Sequence, residues 1–180
     1  MRRAKWCSIA VGLLLVSLLV QGGVGFASTS RVTSTSGAFT IVVPRGFRNE
    51  TAAVAGGAIR VEVLVAGSTQ KGFAVNINVV RERTGTVSLS TLVRASVTDL
   101  KHVSGAHRFS TVADLTVAGA PARAFDYLAS FGGARILHDR QVFAIHDGWG
   151  YVVTYSALPG TQYRGSLPAL SECLASWHWR

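Results

Sequence analysis

Residues 135–157 read RILHDRQVFAIHDGWGYVVTYSA and contain two strand-like runs, 135–146 and 149–157. Asp147 and Gly148 lie between the runs, and this pair favours the tight turn of a β-hairpin. The second run is rich in Tyr and Val, which are typical of strands. The stretch therefore predicts two long antiparallel strands in the last third of the chain.

The residues upstream of this hairpin predict further antiparallel strands. In two of the runs apolar residues alternate with a second face that carries polar residues such as Asn76 and Asn78. Period-two alternation of this kind predicts antiparallel strands that are exposed on one side. The strand-like runs cover 39–43, 58–66, 73–83, 109–117 and 122–129, with turns predicted at Gly119-Ala120-Pro121 and at Gly132-Gly133.

Two segments change to helical spacing. Residues 89–103 place apolar side chains three or four positions apart, with Ser88 as an N-cap and Gly105 just after the end. The last segment has the same spacing, and since Pro168 is tolerated only near a helix start, we expect this helix to begin close to Ser166. The order predicts an α+β fold, an antiparallel sheet of about six to seven strands with helices packed on it.

The N-terminus has the order of regions that is typical of a secretory signal peptide. Three basic residues among the first five precede an uncharged apolar run over residues 6–20. This run is shorter than the roughly 20 residues that a helix needs to span a bilayer. Small residues precede Ser28, so we predict a signal peptide over 1–27 with cleavage between Ala27 and Ser28. An uncleaved N-terminal membrane anchor is the alternative.

Cleavage would leave one domain, secreted or in the cell envelope, and the chain would contact the membrane only transiently, through its signal peptide. Residues 28–37 are rich in Ser and Thr and are predicted to be a tether or a disordered arm, and residues 38–180 a single domain. The chain has 18 Lys and Arg against 9 Asp and Glu, and three of the basic residues precede the predicted cleavage site. The remaining excess of six positive charges favours anionic surfaces as partners, unless the surface is simply solvated. No cluster of Arg with interleaved aromatic residues marks a nucleic-acid-binding face.

The titratable residues form no catalytic, metal or cofactor motif. His138-Asp139 and His146-Asp147 are two similar doublets, but eight strand residues at about 3.3 Å each separate them too far for one shared metal ion. We expect the residues of both doublets to be surface turn residues. We predict that the protein is not an enzyme and has no catalytic residue, cofactor or metal. An enzyme built around His138 or His146 is the alternative. Cys173, the only cysteine after the predicted cleavage site, is expected to be buried and unreactive.

Five aromatic residues of the last third are candidates for a binding site. They would line an apolar ligand pocket or an interface, or else belong to the hydrophobic core. These candidates are Trp149, Tyr151, Tyr155, Trp177 and Trp179.

Short motifs spread from residue 37 to residue 179 follow a recognisable order. They are FTIVVPRGF at 39–47, NINV at 76–79, VAGAPA at 117–122, GYVVTYSA at 150–157 and LASW at 174–177. In order and spacing they resemble the PsbP-like family, in particular its small exported actinobacterial members of the LpqN type. The resemblance implies a PsbP-like α/β/α sandwich, and it implies a fold rather than an activity.

Members of that family act mainly as binding or assembly proteins; one branch stabilises the oxygen-evolving photosystem and another binds the GTPase Ran. We therefore expect an exported, non-enzymatic binding or accessory protein whose partner is an unknown protein or cell-envelope component. A carrier of a small apolar or lipid ligand, held in a groove between sheet and helix, is the second expectation. An uncharacterised hydrolase is the third.

Overall fold

The computed structural model describes residues 30–57, 59–103, 105–131 and 135–180. The predicted signal peptide, its cleavage point at Ala27 and Ser28, and the turn predicted at Gly132-Gly133 lie outside the described residues. Within these ranges, no helix is long and apolar enough to cross a membrane. The strands are β1 (Arg31–Thr33), β2 (Phe39–Val42), β3 (Arg48–Asn49), β4 (Val61–Gln70), β5 (Phe73–Arg83), β6 (Ala113–Val117), β7 (Ala120–Phe131), β8 (Arg135–His146), β9 (Trp149–Ala157) and β10 (His178–Trp179); the helices are α1 (Leu89–Val103) and α2 (Thr161–Ala175), with a 3-10 helix at Thr51–Val54.

Seven strands form one antiparallel sheet in the order β3-β4-β5-β9-β8-β7-β6. The strands β8 and β9 have the bounds that the sequence predicts, and Asp147 and Gly148 between them both have positive φ, 49° and 73°. Two successive residues with positive φ are what a type I′ hairpin turn requires. The α+β prediction with six to seven strands in the sheet is confirmed.

The two helices cover opposite faces of this sheet. Leu100 of α1 packs in the same apolar cluster as Val152, whereas Leu170 and Cys173 of α2 pack in the cluster that contains Val153. Since successive residues of a strand point to opposite faces, α1 and α2 lie on opposite sides of β9. The result is the three-layer α/β/α arrangement that was expected.

A second, three-stranded sheet in the order β1-β2-β10 lies on the α2 side, where Phe39 and Ile41 of β2 join the apolar cluster under α2. The expectation of a tether or disordered arm over residues 28–37 is wrong for the part that is described. Residues 31–33 pair antiparallel with β2, and Val32 is buried in the core. This single apolar side chain and the free edge of β2 give the polar segment a place to fold.

The prediction that the alternating strands are exposed on one side is also wrong. Residues 61–66 of β4 and 73–80 of β5 are buried on both faces, including the polar residues Asn76 and Asn78. The polar face is covered by the layer that contains α1. Alternation in sequence therefore marks a polar layer inside the protein rather than a solvent-exposed surface.

Other boundaries shift by a few residues. The strand expected from 58 begins at Val61, the strand expected from 109 begins at Ala113, and the turn at 119–121 lies one position earlier, since Ala118 and Gly119 have positive φ and Pro121 belongs to β7. The two strands begin where pairing with a neighbour begins, Val61 opposite Val80 and Ala113 opposite Ala124.

Helix α2 begins at Thr161, five residues before the expected start at Ser166, so Pro168 lies inside the helix. The proline is exposed, and its missing N–H removes one hydrogen bond from the solvent side. The first turn is held by Gln162, which accepts from the Leu158 N–H at 2.7 Å and donates to the Phe73 carbonyl at 3.3 Å. These tertiary hydrogen bonds outweigh the local cost of the proline.

Candidate binding surface

The aromatic candidates divide between the core and its rim. Tyr151, Tyr155 and Trp177 are buried, and Trp149 and Trp179 are partly buried against the same apolar cluster. These positions fit the core alternative for the three buried residues.

The structure brings three of the five together around Phe39 of β2. The Trp177 ring stacks on Phe39 with a centroid distance of 4.0 Å, and the Trp179 ring lies 4.9 Å from Tyr151 and 5.1 Å from Trp177. Tyr155 lies elsewhere, where its hydroxyl donates to the Tyr163 carbonyl at 2.7 Å. The aromatic group therefore joins the small sheet to the large one.

Ser176 determines how the chain leaves α2 and enters β10. Its hydroxyl accepts a hydrogen bond from the Val42 N–H at 2.9 Å and donates to the Cys173 carbonyl at 3.0 Å. The chain then pairs with β2, with His178 opposite Thr40 and Trp179 opposite Phe39. Trp179 thus faces the core side of the small sheet, and His178 faces outward.

The outer face of the small sheet forms an open groove of about 800 Å³. Thr33, Thr40 and His178 are directly opposite one another on β1, β2 and β10, so they form one row across the sheet. The end of α2 forms one wall. We call this surface the basic groove; it is lined by Arg31, Thr33, Thr40, Ala175, Ser176, Trp177, His178 and Arg180.

The groove is rich in hydrogen-bond donors. The Arg31 guanidinium donates to the Thr40 hydroxyl at 3.0 Å and to the Ser176 carbonyl at 3.3 Å, so it is held in place and also offsets the negative end of α2. Arg180 and His178 add further donors, and none of the eight lining residues is acidic. The lining can therefore receive a ligand that presents acceptor oxygens.

A buried carboxylate supports the small sheet from below. Glu62 accepts hydrogen bonds from the Ser36 N–H at 2.9 Å, the Thr35 hydroxyl at 3.1 Å and Arg81 Nε at 2.9 Å. Burial alone would raise the pKa of Glu62, but these hydrogen bonds and the charge of Arg81 outweigh it, so its pKa lies below the usual value. Arg81 also lies over the Trp149 ring at 4.2 Å. The loop between β1 and β2 is thereby fixed to β4 and β5.

His138 and His146 lie apart on strand β8 and are not turn residues, which corrects the expectation that they are surface turn residues. The His138 ring stacks on Tyr163 at 3.5 Å, and the Tyr163 hydroxyl donates to Asp126. Burial lowers the pKa of His138, and the charge of Asp126 offsets part of this effect. The His146 ring stacks on Trp179 at 4.3 Å. In the described ranges no group of three or more His, Cys, Asp or Glu side chains could hold a metal ion.

Sequence reasoning missed the basic groove because its parts come from both ends of the described chain. Arg31 fell in a segment that was expected to be a tether, and His178 and Arg180 follow the last helix without any motif. Only the pairing of the two-residue strand β10 with β2 brings them together. The sequence pattern does not reveal the role of Glu62 for a similar reason, since a lone acidic residue in a strand gives no signal of its partners.

No known family model matches the sequence, and no curated protein is significantly similar to it. Solved structures do match. A cyanobacterial PsbP (CyanoP) from Synechocystis superimposes with a TM-score of 0.60 at 17% identity, over 89% of this chain and 98% of that chain. The chain has the PsbP-like fold. LpqN, which is involved in cell envelope biogenesis of Mycobacterium tuberculosis, gives a TM-score of 0.61 at 14% identity, over 82% of this chain and 88% of that chain.

The PsbP-like fold also extends to a Ran-binding protein of Saccharomyces cerevisiae, Mog1p, with a TM-score of 0.59 at 14% identity, over 84% of this chain and 95% of that chain. The resemblance found in the sequence motifs is confirmed at the level of the fold. Identities of this size establish the fold alone, because one fold supports many functions.

Proposed function

We propose that this chain is an exported binding or accessory protein that recognises an acidic segment of a partner protein through the basic groove. The observation that carries the proposal is the lining of the groove, in which three basic side chains and fixed hydroxyl groups occur without an acidic side chain.

The chemistry of the groove suits carboxylate groups. A guanidinium presents a planar set of donors that matches a carboxylate, and Arg31 is already oriented by Thr40 and Ser176. The volume of about 800 Å³ exceeds that of a single ion and suits several residues of an extended peptide. Strand β1 lies at the edge of the small sheet, and an extended segment can add to such an edge by backbone hydrogen bonds.

Two further points support a binding role outside the cytoplasm. The N-terminal residues have the pattern of a signal peptide. Among the structures that share the fold, one is described as a Ran-binding protein and another as involved in cell envelope biogenesis. These neighbours support a binding or accessory role and do not identify the partner.

The test is binding of a fluorescent octaglutamate peptide to the purified protein, with octaglutamine as the uncharged control. We expect the double variant Arg31→Ala, Arg180→Ala to weaken binding at least tenfold. The matched control replaces Arg94 and Arg164, two exposed arginines on the helices outside the groove, by Ala.

Equal weakening in both double variants would show that net charge rather than the groove attracts the peptide. Another outcome is binding of the protein to vesicles of phosphatidylglycerol and not to the peptide. If the groove variant loses this binding, the ligand of the groove is a lipid surface rather than an acidic protein segment. Absence of binding to either probe would overturn the proposal.

A further inference from the structure

The sheet face beneath α1 carries an unusual set of buried polar side chains. They form two rows of directly opposite residues across β5, β9, β8 and β7. We call this set the polar seam; its rows are Asn76, Ser156, Asp139 and Tyr127, and Asn78, Thr154 and Gln141. All seven are at least nine-tenths buried. On the opposite face the corresponding strands are mainly apolar.

Asp139 is the one acidic residue of the polar seam, and its side chain is 0% exposed. Neither carboxyl oxygen makes a hydrogen bond of ordinary geometry within the described residues. Burial raises the pKa of Asp139 to about 7, although the neighbouring Ser156 and Tyr127 hydroxyls favour the ionised form. A carboxylate without a partner is costly inside a protein, so the buried arrangement suits the neutral acid.

Among the described residues, the elements around Asp139 supply no cation to pair with it. Tyr127 of β7 is titratable, and burial followed by the charge of Asp139 raises its pKa above the usual value, so it stays neutral. The neighbour on β9, Ser156, has no charge. On α1 the charged or titratable residues are Arg94, Asp99, Lys101 and His102, and none of them shifts the pKa of Asp139.

Helix α1 covers the polar seam with few polar contacts. Its buried side chains are mainly apolar, and the Ser96 hydroxyl donates to Gln141 Oε1 at 3.2 Å. Gln141 in turn donates to the Thr154 hydroxyl at 3.4 Å. Lys101 lies over the Phe109 ring at 5.4 Å, and Phe109 stacks on Tyr127. The helix is therefore held by apolar packing over a face that water could solvate.

We propose that Asp139 is a pH-sensitive switch for α1: the neutral acid allows the helix to stay docked, and ionisation releases it from the sheet. An ionised Asp139 requires hydrogen-bond donors, and water can supply them only if α1 moves away from the sheet. The polar seam lowers the free energy of this opened state, because its amides and hydroxyls form hydrogen bonds with water. The strand pairs on both sides of Asp139 do not depend on α1, so the sheet stays intact.

The test is hydrogen exchange of the purified protein between pH 5.5 and pH 8.5, with rates divided by the intrinsic rate at each pH. We expect protection of the α1 amides to fall at least tenfold as the pH rises, and the amides of β8 and β9 to stay more strongly protected than those of α1 at every pH. Asp139→Asn keeps the shape and cannot ionise, so its α1 protection should not change with pH. His138→Asn is the control, because His138 is a titratable residue of the same strand whose ring stacks on Tyr163 of α2, on the other side of the sheet.

Constant α1 protection in the unchanged protein, or the same pH dependence after Asp139→Asn, would overturn the proposal. If that variant does not fold, Tyr127→Phe gives a second measurement. It removes a hydroxyl that favours the ionised form, so it should move the midpoint of α1 release to higher pH. An unchanged or lower midpoint would count against Asp139 as the switch. Loss of the pH dependence in His138→Asn would assign the effect to the histidine.

Discussion

The Nε atom of Arg81 lies 2.9 Å from Oε1 of Glu62, and this ion pair joins the neighbouring strands β5 and β4 of the large sheet. Glu62 is fully buried, whereas Arg81 is 17% exposed and lies over Trp149. The second carboxylate oxygen accepts from the loop between β1 and β2. One side chain thus connects three separate segments of the chain.

Glu62→Ala is expected to lower the free energy of unfolding by about 3–5 kcal/mol, because it leaves Arg81 and the Ser36 N–H without their acceptor. Urea denaturation measures the loss. Asp114→Ala is the control, since it breaks an ion pair with Arg123 in which Asp114 is 81% exposed, and should cost less than about 1 kcal/mol. Similar losses in the two variants would contradict the role given to Glu62.

Glu62 and Asp139 should have opposite effects on the pH dependence of stability. The lowered pKa of Glu62 means that its contribution is complete above the usual value of 4.5 and is lost as the pH falls through its folded pKa. The pKa of Asp139 rises from 3.8 to about 7 on folding, so stability falls as the pH rises through this window, by roughly 4 kcal/mol. Urea denaturation of Glu62→Gln and Asp139→Asn across pH 3–9 separates the two. A flat profile above pH 4 in the unchanged protein would refute the Asp139 effect.

Gly150→Ala should destabilise the protein by about 1–3 kcal/mol. An added Cβ would lie 2.6 Å from Thr84 Cγ2 and 3.1 Å from Leu92 Cδ2. The Thr84 side chain cannot turn away freely, because its hydroxyl donates to the Gly148 carbonyl. Gly165→Ala is the control, since nothing lies within 4 Å of its Cβ position in α2, and it should stabilise by up to about 1 kcal/mol. Thermal unfolding of both variants decides the comparison.

Trp177→Ala should cost about 3–5 kcal/mol, because the indole is buried and stacks on Phe39. Trp149→Ala should cost less, since Trp149 is only partly buried and lies beside Arg81. The measurement is the free energy of unfolding in urea. An unchanged free energy of unfolding in Trp177→Ala would show that Trp177 does not stabilise the core, and would favour its interpretation as a binding residue.

Cys173 should react with a thiol reagent only when α2 opens. The thiol is buried, and burial, with a smaller contribution from Glu172, raises its pKa to about 12. Thiolate is the reactive form, so labelling at pH 8 should follow the rate of unfolding rather than the concentration of reagent. Labelling that is fast in the absence of urea would contradict this placement.

Much of the fold follows from local pattern. The hairpin at 135–157 and the helix at 89–103 have the predicted bounds, because turn residues with positive φ and a regular apolar stripe are local signals. Helix α2 was misplaced because Gln162, whose contacts lie 89 and 94 residues away, holds its first turn. Pro168 was a valid local signal that tertiary contacts overcame.

The candidate binding surface was harder to predict because its residues are distant in sequence. Arg31 and Ser176 are 145 residues apart, yet they share a hydrogen bond in the basic groove. The alternation at Asn76 and Asn78 reveals part of the polar seam, but alternation alone predicts a solvent-exposed face. A polar residue in a strand gives no information about what covers it.

The small sheet has a consequence for how the protein acquires its structure. The Val42 N–H and the Ser176 hydroxyl that accepts from it are 134 residues apart in sequence. Strand β10, which follows Ser176, completes the small sheet by pairing with β2. Contacts at such long sequence separation make folding slow. If the chain is exported as proposed, with its N-terminal side first, β2 crosses the membrane well before β10. The small sheet and the basic groove then form only after both strands have crossed.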